Sequence, residues 1–234
     1  TTTLFGITIS FSKLTLVVEF LVMALVLVFR PWGLMGRPQG ASRNSAPIEA
    51  PLRPGSPQFK LLAMGVFILL AVLPLLSGWL PYATVLTQDV LVAVLFAVSL
   101  HFIMGPGGMH SFGHAAYYGL GAYGAAVLLK AATMPMPLAM ALAPLIAGAG
   151  ALVFGWFCVR LSGVYLAMLT LAFSQIVWSV VFQWDDFTGG SNGMIGVWPS
   201  SWLDATSYYY LTLALVGLSV FLLRRILFAP FGYA

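Results

Sequence analysis

Two histidines stand four residues apart in the glycine-rich stretch GMHSFGHAAYYGLGAYGAA, residues 108–126. On a helix, His110 and His114 would share one face, and two imidazoles at that spacing can ligate a metal ion. A metal site needs further ligands, and the sequence offers none nearby. Cys158 is distant, and a Gly-Pro-Gly-Gly break separates His101 from the pair. We therefore predict no metal site in this stretch.

The same stretch predicts the start of a closely packed helix. Ser111 is suited to cap a helix that begins near Phe112, directly after the glycine-rich break. His114 would then cap the helix, pack against a neighbour or contact a solute, and these roles stay open. Small residues recur at four-residue spacing, which lets other helices approach closely. The glycines expected to pack are Gly113, Gly119, Gly121 and Gly124. A structural hub and the wall of a solute pathway explain this pattern equally well.

Two further polar residues are candidates for contact with a solute. Gln175 lies deep in an apolar run, and its amide should face protein or water because its own helix cannot satisfy it. Asn192 lies in the glycine-rich segment 184–199, which should be irregular. That segment is an ordinary loop, a folded-back element over a pathway, or a docking surface for an outside partner. Its acids, Asp185 and Asp186, lack the spacing of an EF-hand calcium loop.

The elements that position these residues are predicted to be membrane-spanning helices. Of the 234 residues, 61% are hydrophobic and 7% are charged, against about 25% charged in a soluble domain. Long unbroken apolar runs argue against barrel strands, so the expected fold class is all-α, a polytopic transmembrane helical bundle. Seven segments are long enough to span: 14–30, 61–80, 84–104, 112–130, 136–158, 163–184 and 208–228. A broken or re-entrant element is expected near 105–114.

Charges beside these segments predict the orientation of the chain. The stretch from Arg30 to Lys60 holds five basic residues and one acid, so the positive-inside rule places it in the cytoplasm. Alternate crossings then place Arg224 and Arg225 in the cytoplasm as well. Lys130 then lies on the outer side. Because the basic residues flank apolar runs, the net charge of +4 does not indicate binding to nucleic acid.

A proline-rich segment divides the chain. Residues 38–58, PQGASRNSAPIEAPLRPGSPQ, are typical of a linker. One predicted span precedes this linker and six follow it. We interpret residues 1–37 as the last span of a first membrane domain and residues 59–234 as the N-terminal part of a second. A chain that begins with threonine and has no charged signal-peptide region is expected to be a fragment or a processed protein.

No motif for catalysis accompanies these elements. The sequence contains no nucleophile–base pair, no P-loop and no glycine-rich dinucleotide motif after a strand. We therefore expect that this chain is not an enzyme.

Three stretches resemble the membrane subunits of ABC importers for branched-chain amino acids, a family that includes urea and short-chain amide permeases. The first is GPGGMHSFGHAAYYGLGAYGAAVL, which matches the family pattern through Ser111, Gly113, His114, Ala115, Gly119, Gly121, Ala122 and Tyr123. The second runs from RLSGVYLAMLTLAFSQIV to FTGGSNGMIGV and matches through Arg160, Gly163, Tyr165, Leu166, Thr170, Leu171, Thr188, Gly189, Gly190, Asn192 and Gly193. The third, LVMALVLVFRPWGLMGR, resembles the C-terminal span of the partner subunit through Phe29, Arg30, Pro31, Gly33, Leu34 and Gly36.

The resemblance implies a fused permease fragment, natural or engineered, in a bacterial inner membrane. It implies alternating access, with two cytoplasmic ATP-binding subunits, an extracytoplasmic solute-binding protein and the other permease half as partners. ATP would be used by the separate subunits, so no cofactor is expected in this chain. We expect the broken element to lie beside the solute pathway. The candidate pathway residues are His110, Ser111, His114, Tyr117, Gln175 and Asn192.

Two other functions stay open at this point. A channel or facilitator for a small solute such as urea would transport without ATP. A structural anchor within a larger complex would tolerate alanine at Gln175 and His114 with full transport.

Overall fold

A computed structural model describes residues 2–4, 7–9, 11–30, 56–76, 82–130, 132–158, 161, 163–197 and 204–229. The helices are α1 (Phe11–Phe29), α2 (Pro57–Val72), α3 (Ala83–Met104), α4 (His114–Lys130), α5 (Met136–Cys158), α6 (Gly163–Gln183), α7 (Asp185–Thr188) and α8 (Ala205–Leu227). Turns of 3₁₀ helix cover Leu73–Leu76 and Gly190–Asn192. The predicted all-α class is confirmed.

One short hairpin departs from the purely helical prediction. Strands β1 (Thr2–Leu4) and β2 (Ile7–Ile9) pair antiparallel, with Thr2 opposite Ile9. Threonine and isoleucine are β-branched residues that favour strands. Strands of three residues are too short to stand out in a chain of long apolar runs.

Five helices in the described residues are long and apolar enough to cross a membrane. They are Pro57–Leu75, Ala83–Met104, Met136–Cys158, Gly163–Gln183 and Ala205–Leu227. The apolar part of α1, Val17–Phe29, is shorter, and α4 has 17 residues. The number of seven spans therefore stays a prediction.

The chain forms two compact units. The first contains the hairpin, α1 and α4 to α7, with the end of α3. Within it, α1 packs on α6 and α4 packs along α5. The core between α1 and α6 is apolar and consists of Ala24, Leu27, Cys158, Leu166, Leu169 and Ala172. The predicted division at 38–58 stays a prediction, because only residues 56–58 of that linker are described.

The second unit contains α2, most of α3 and α8. Its core consists of Leu91, Tyr209, Leu213 and Val216. The Tyr209 hydroxyl donates a 2.8 Å hydrogen bond to the Leu70 carbonyl near the end of α2. Proline at position 74 has no N–H, so the Leu70 carbonyl lacks its usual helical donor four residues on. Tyr209 thus supplies the hydrogen bond that Pro74 removes from α2.

Candidate functional site

A cavity of about 280 Å³ lies between α4 and α6 in the first unit. Helix α4 contributes Ala115, Ala116, Gly119 and Tyr123; helix α6 contributes Ser174, Gln175, Val177, Trp178, Val181 and Phe182; Gly190 completes the lining. On α4, Ala115, Gly119 and Tyr123 are four residues apart and so share one face. The small residues of that face leave the space into which α6 projects larger side chains.

The cavity wall is mostly apolar, with polar groups on both helices. Gln175 and Ser174 come from α6, and Tyr123 comes from α4. The Ser174 hydroxyl donates to the Leu171 carbonyl of its own helix at 2.8 Å, so its oxygen is left to accept a hydrogen bond. Apolar walls with a few polar groups are the usual chemistry of small-molecule sites. The arrangement therefore suits a small solute with an aliphatic part and a polar part.

Among the predicted pathway residues, the structure places Gln175 in the cavity lining. The others lie elsewhere. His110 is exposed in the break before α4, Ser111 is buried there, and His114 is the first residue of α4. The Tyr117 ring lies 6.3 Å from the Phe154 ring, centroid to centroid, and Asn192 is exposed in the 3₁₀ turn.

Sequence reasoning missed Tyr123, Ser174 and Trp178 as lining residues. A signal for Tyr123 was present, because it follows Ala115 and Gly119 at four-residue intervals. Trp178 likewise lies four residues after Ser174 on α6. Neither spacing identifies which neighbouring helix its face meets, so the cavity became visible only in the folded chain.

The predicted break between α3 and α4 is present. Residues 105–113 are not helical, and the Met109 N–H donates to the Ile103 carbonyl at 3.2 Å. The prediction that Ser111 caps a helix beginning near Phe112 is wrong. Because α4 begins at His114, the residue in the cap position is Gly113.

The break is attached to α6 through Thr170. The Phe112 N–H donates to the Thr170 hydroxyl oxygen at 3.1 Å, and that hydroxyl donates to the Ala167 carbonyl at 2.9 Å. A Cβ atom built on Gly113 would lie 2.6 Å from the Thr170 carbonyl oxygen. Such a distance is too short for any side chain, so glycine at 113 allows the break to lie directly against α6.

The four glycines expected to pack have different surroundings. A Cβ on Gly121 would lie 3.6 Å from the Ala147 Cβ, and a Cβ on Gly124 would lie 3.0 Å from the Ile146 Cδ1. Both glycines therefore face α5. Gly119 differs, because a Cβ there would meet nothing within 4 Å, and Gly119 lines the cavity.

The second glycine-rich segment forms a tight turn at the cavity. The Thr188 side chain is buried, and its hydroxyl donates to the Trp184 carbonyl at 2.7 Å and contacts the Val181 carbonyl. Gly190 has a φ of 54°, and a Cβ atom there would overlap the Asp185 carboxylate. Residue 190 must therefore be glycine for the chain to turn at this point.

A further cavity of about 260 Å³ adjoins this turn and carries charged groups. It is lined by Lys130, Asp185, Asp186, Phe187, Gly189, Gly193 and Met194. The Lys130 ammonium donates a 3.0 Å hydrogen bond to the Ile195 carbonyl. The end of α4 and the 190–197 segment therefore lie at the same end of this unit. Within the described residues, no three His, Cys, Asp or Glu side chains are grouped to hold a metal ion.

Comparison with known proteins agrees with the resemblance drawn from the two longer signatures. Residues 82–234 match the family described as the permease component of branched-chain amino acid transport systems. The chain is similar to the high-affinity branched-chain amino acid transport system permease protein LivM of Salmonella typhimurium, at 27% identity over 208 residues. It is also similar to LivM of Escherichia coli, at 28% identity over 201 residues. These alignments cover 75% and 71% of this chain.

The chain spans about half the length of the curated relatives it matches, 47% in both cases. No solved structure matches it. The family match includes α3 to α8, and with them both helices that form the larger cavity. Because this match covers more than half of the chain, the protein belongs to the family of branched-chain amino acid transport system permease components.

Proposed function

We propose that this chain is part of the transmembrane permease of an ABC importer in a bacterial inner membrane. The solutes are branched-chain amino acids or related small polar molecules, carried by alternating access. The observation that supports this most directly is the cavity between α4 and α6, which lies inside the family-matched region. Its volume of about 280 Å³ is just below the usual range for drug-sized ligands, about 300–1,000 Å³. A small solute is the appropriate occupant.

The chemistry of the cavity fits an amino acid with an aliphatic side chain. Val177 and Val181 offer apolar contacts, while Gln175 offers both a donor and an acceptor to a charged ammonium or carboxylate group. Trp178 supplies a large apolar surface on the same helix. A solute would be held by its side chain on the apolar wall and oriented by Gln175.

The proposed importer needs partners beyond this chain. We infer two cytoplasmic ATP-binding subunits that hydrolyse ATP, an extracytoplasmic solute-binding protein and another permease half. Residues 1–37 would end the first permease half, and residues 59–234 would begin the second. Each partner shifts the permease between inward-open and outward-open states because it binds one state more tightly. His110, Ser111, His114, Tyr117 and Asn192 are proposed to lie beside the pathway in at least one state.

Uptake into proteoliposomes tests this function. The complete permease, reconstituted with its ATP-binding subunits and binding protein, should take up leucine only when ATP is supplied. Gln175→Leu should lower the uptake rate about tenfold or more, because one lost hydrogen bond to a charged group is worth about 1.5–3 kcal/mol. Gln58→Leu, the same change at an exposed position in α2, is the matched control and should keep wild-type uptake.

Other outcomes would contradict the proposal. Uptake of leucine or urea that persists without ATP and without the ATP-binding subunits would indicate a facilitator. Full transport by Gln175→Leu would show that the cavity is not part of the solute pathway.

A further inference from the structure

Gly119 is the residue of α4 that lines the cavity without a side chain. It lines the cavity, and a Cβ atom built on it would meet no atom within 4 Å. Gly65, Gly148 and Gly155 lie in other helices and also have open space at the Cβ position, but none of them lines this cavity. In the described part of the chain, no other helix packs against Gly119.

Neighbouring glycines on α4 provide the contrast. Gly121 lies against Ala147, and Gly124 lies against Ile146, both on α5. Helix packing accounts for the absence of a side chain at these two positions. At Gly119 the empty volume belongs to the cavity instead.

The residues around Gly119 define what fills that volume. Tyr123 lies one turn further along the same face of α4, and α6 supplies Gln175 and Trp178 to the same cavity. A methyl group is close in size to a water molecule, whose share of liquid volume is about 30 Å³. Alanine at position 119 would therefore fill part of the cavity, and valine, which adds three carbon atoms instead of one, would fill more of it.

We propose that Gly119 sets the upper size limit for the aliphatic side chain of the solute that this cavity accepts. The inference rests on the proposed function, because it requires a solute to enter the cavity. A pocket that is too small by one methylene group discriminates by about 10- to 200-fold. Enlarging residue 119 should therefore exclude leucine while smaller solutes still pass.

Relative uptake of leucine and alanine by the reconstituted complete importer measures this limit. Each solute is supplied at a concentration that saturates the binding protein. Gly119→Ala should lower the leucine-to-alanine uptake ratio, and Gly119→Val should lower it further, by about tenfold or more. Gly121→Ala is the matched control on the same helix. Its added methyl makes an ordinary contact with Ala147, so the ratio should stay at the wild-type value.

Labelling of a cysteine at position 119 tests the same inference without transport. Cys158 is the chain's single cysteine and is buried, so a Cys158→Ala background isolates the new thiol. Gly119→Cys should react with a small polar thiol reagent. Because the cysteine side chain narrows the cavity more than an alanine side chain would, the smaller solute alanine should slow that reaction more than leucine does. Gly121→Cys should react more slowly because α5 covers it.

The outcomes separate the size limit from the proposed function. An unchanged uptake ratio in Gly119→Val, or an equal change in Gly121→Ala, overturns the role of Gly119 while transport stands. If the wild-type importer takes up no amino acid, the proposed function fails, and the labelling experiment alone tests the size limit. In that case, protection of Gly119→Cys by alanine that is lost with leucine supports the size limit, and equal or absent protection overturns it.

Discussion

At the scale of single residues, Thr170 connects two segments that are 58 positions apart in the sequence. Its hydroxyl accepts the Phe112 N–H and donates to its own helix, and its carbonyl lies against Gly113. Thr170 is buried, whereas Phe112, whose N–H it accepts, is an exposed residue. This side chain therefore helps to hold the break against α6.

Replacing Thr170 by valine should destabilise the protein. Valine keeps the shape but cannot accept the Phe112 N–H, and the loss of a typical hydrogen bond costs about 0.5–1.5 kcal/mol. Thermal unfolding of the purified protein in detergent measures the change. Thr212→Val is the control, because the Thr212 hydroxyl donates to the Tyr208 carbonyl of its own helix and receives no backbone N–H. Equal stability of Thr170→Val and wild type would show that the break is held by other contacts.

The sequence predicts some residues of the site and misses others for a physical reason. Gln175 stands out because an amide in an apolar run needs a partner. Tyr123 does not, since alanine and glycine cover several faces of α4 and any of them permits close packing. Which face meets α5 and which meets the cavity depends on how the helices cross. The Ser111 cap fails likewise, because α4 begins at His114 and the break that contains Ser111 is held against α6 of the folded chain.

At the scale of elements, the end of α2 shows how a helix break is compensated by a neighbour. Helix α2 ends in the 3₁₀ turn Leu73–Leu76, which contains Pro74. The Tyr209 and Tyr210 hydroxyls of α8 donate to the Leu70 and Ala71 carbonyls, at 2.8 and 3.0 Å. Hydropathy predicts both helices well, since each is a long apolar run. The tyrosine contacts join residues 139 apart and have no local signal.

A double-mutant cycle tests this compensation. Tyr209→Phe should lower stability by about 0.6 kcal/mol, and by no more than about 1.7, the range measured for hydrogen bonds between membrane helices. In a Pro74→Ala background the same change should cost less, because the alanine N–H can then pair with the Leu70 carbonyl. Thermal unfolding in detergent of the four variants gives the coupling. Additive effects would mean that Tyr209 contributes only by packing.

At the scale of the whole molecule, the positive-inside rule and the structure of the first unit agree on one point. The rule places Lys130 and the acids of residues 184–199 together on the outer side. In the folded unit, the Lys130 ammonium donates to the Ile195 carbonyl, and Asp185 and Asp186 line the same cavity. Lys130 thus has the Ile195 carbonyl as an acceptor and shares a cavity with two acids, at the end of the unit that the rule places outside. Its position there needs no change in the predicted orientation.

Labelling from each side of the membrane tests the predicted orientation of the chain. In a Cys158→Ala background, Ala132→Cys and Ser191→Cys are exposed sites. Both should react with an impermeant maleimide that is added to cells with a permeabilised outer membrane and an intact inner membrane. Gln58→Cys and Ala229→Cys, near Lys60 and Arg225, should react only after the inner membrane is permeabilised as well. These four changes leave every charged residue in place, so the charges that set the orientation are preserved. Reaction of Ala132→Cys and Ser191→Cys from opposite sides would contradict the contact between Lys130 and Ile195, and outer labelling at Gln58→Cys would invert the predicted topology.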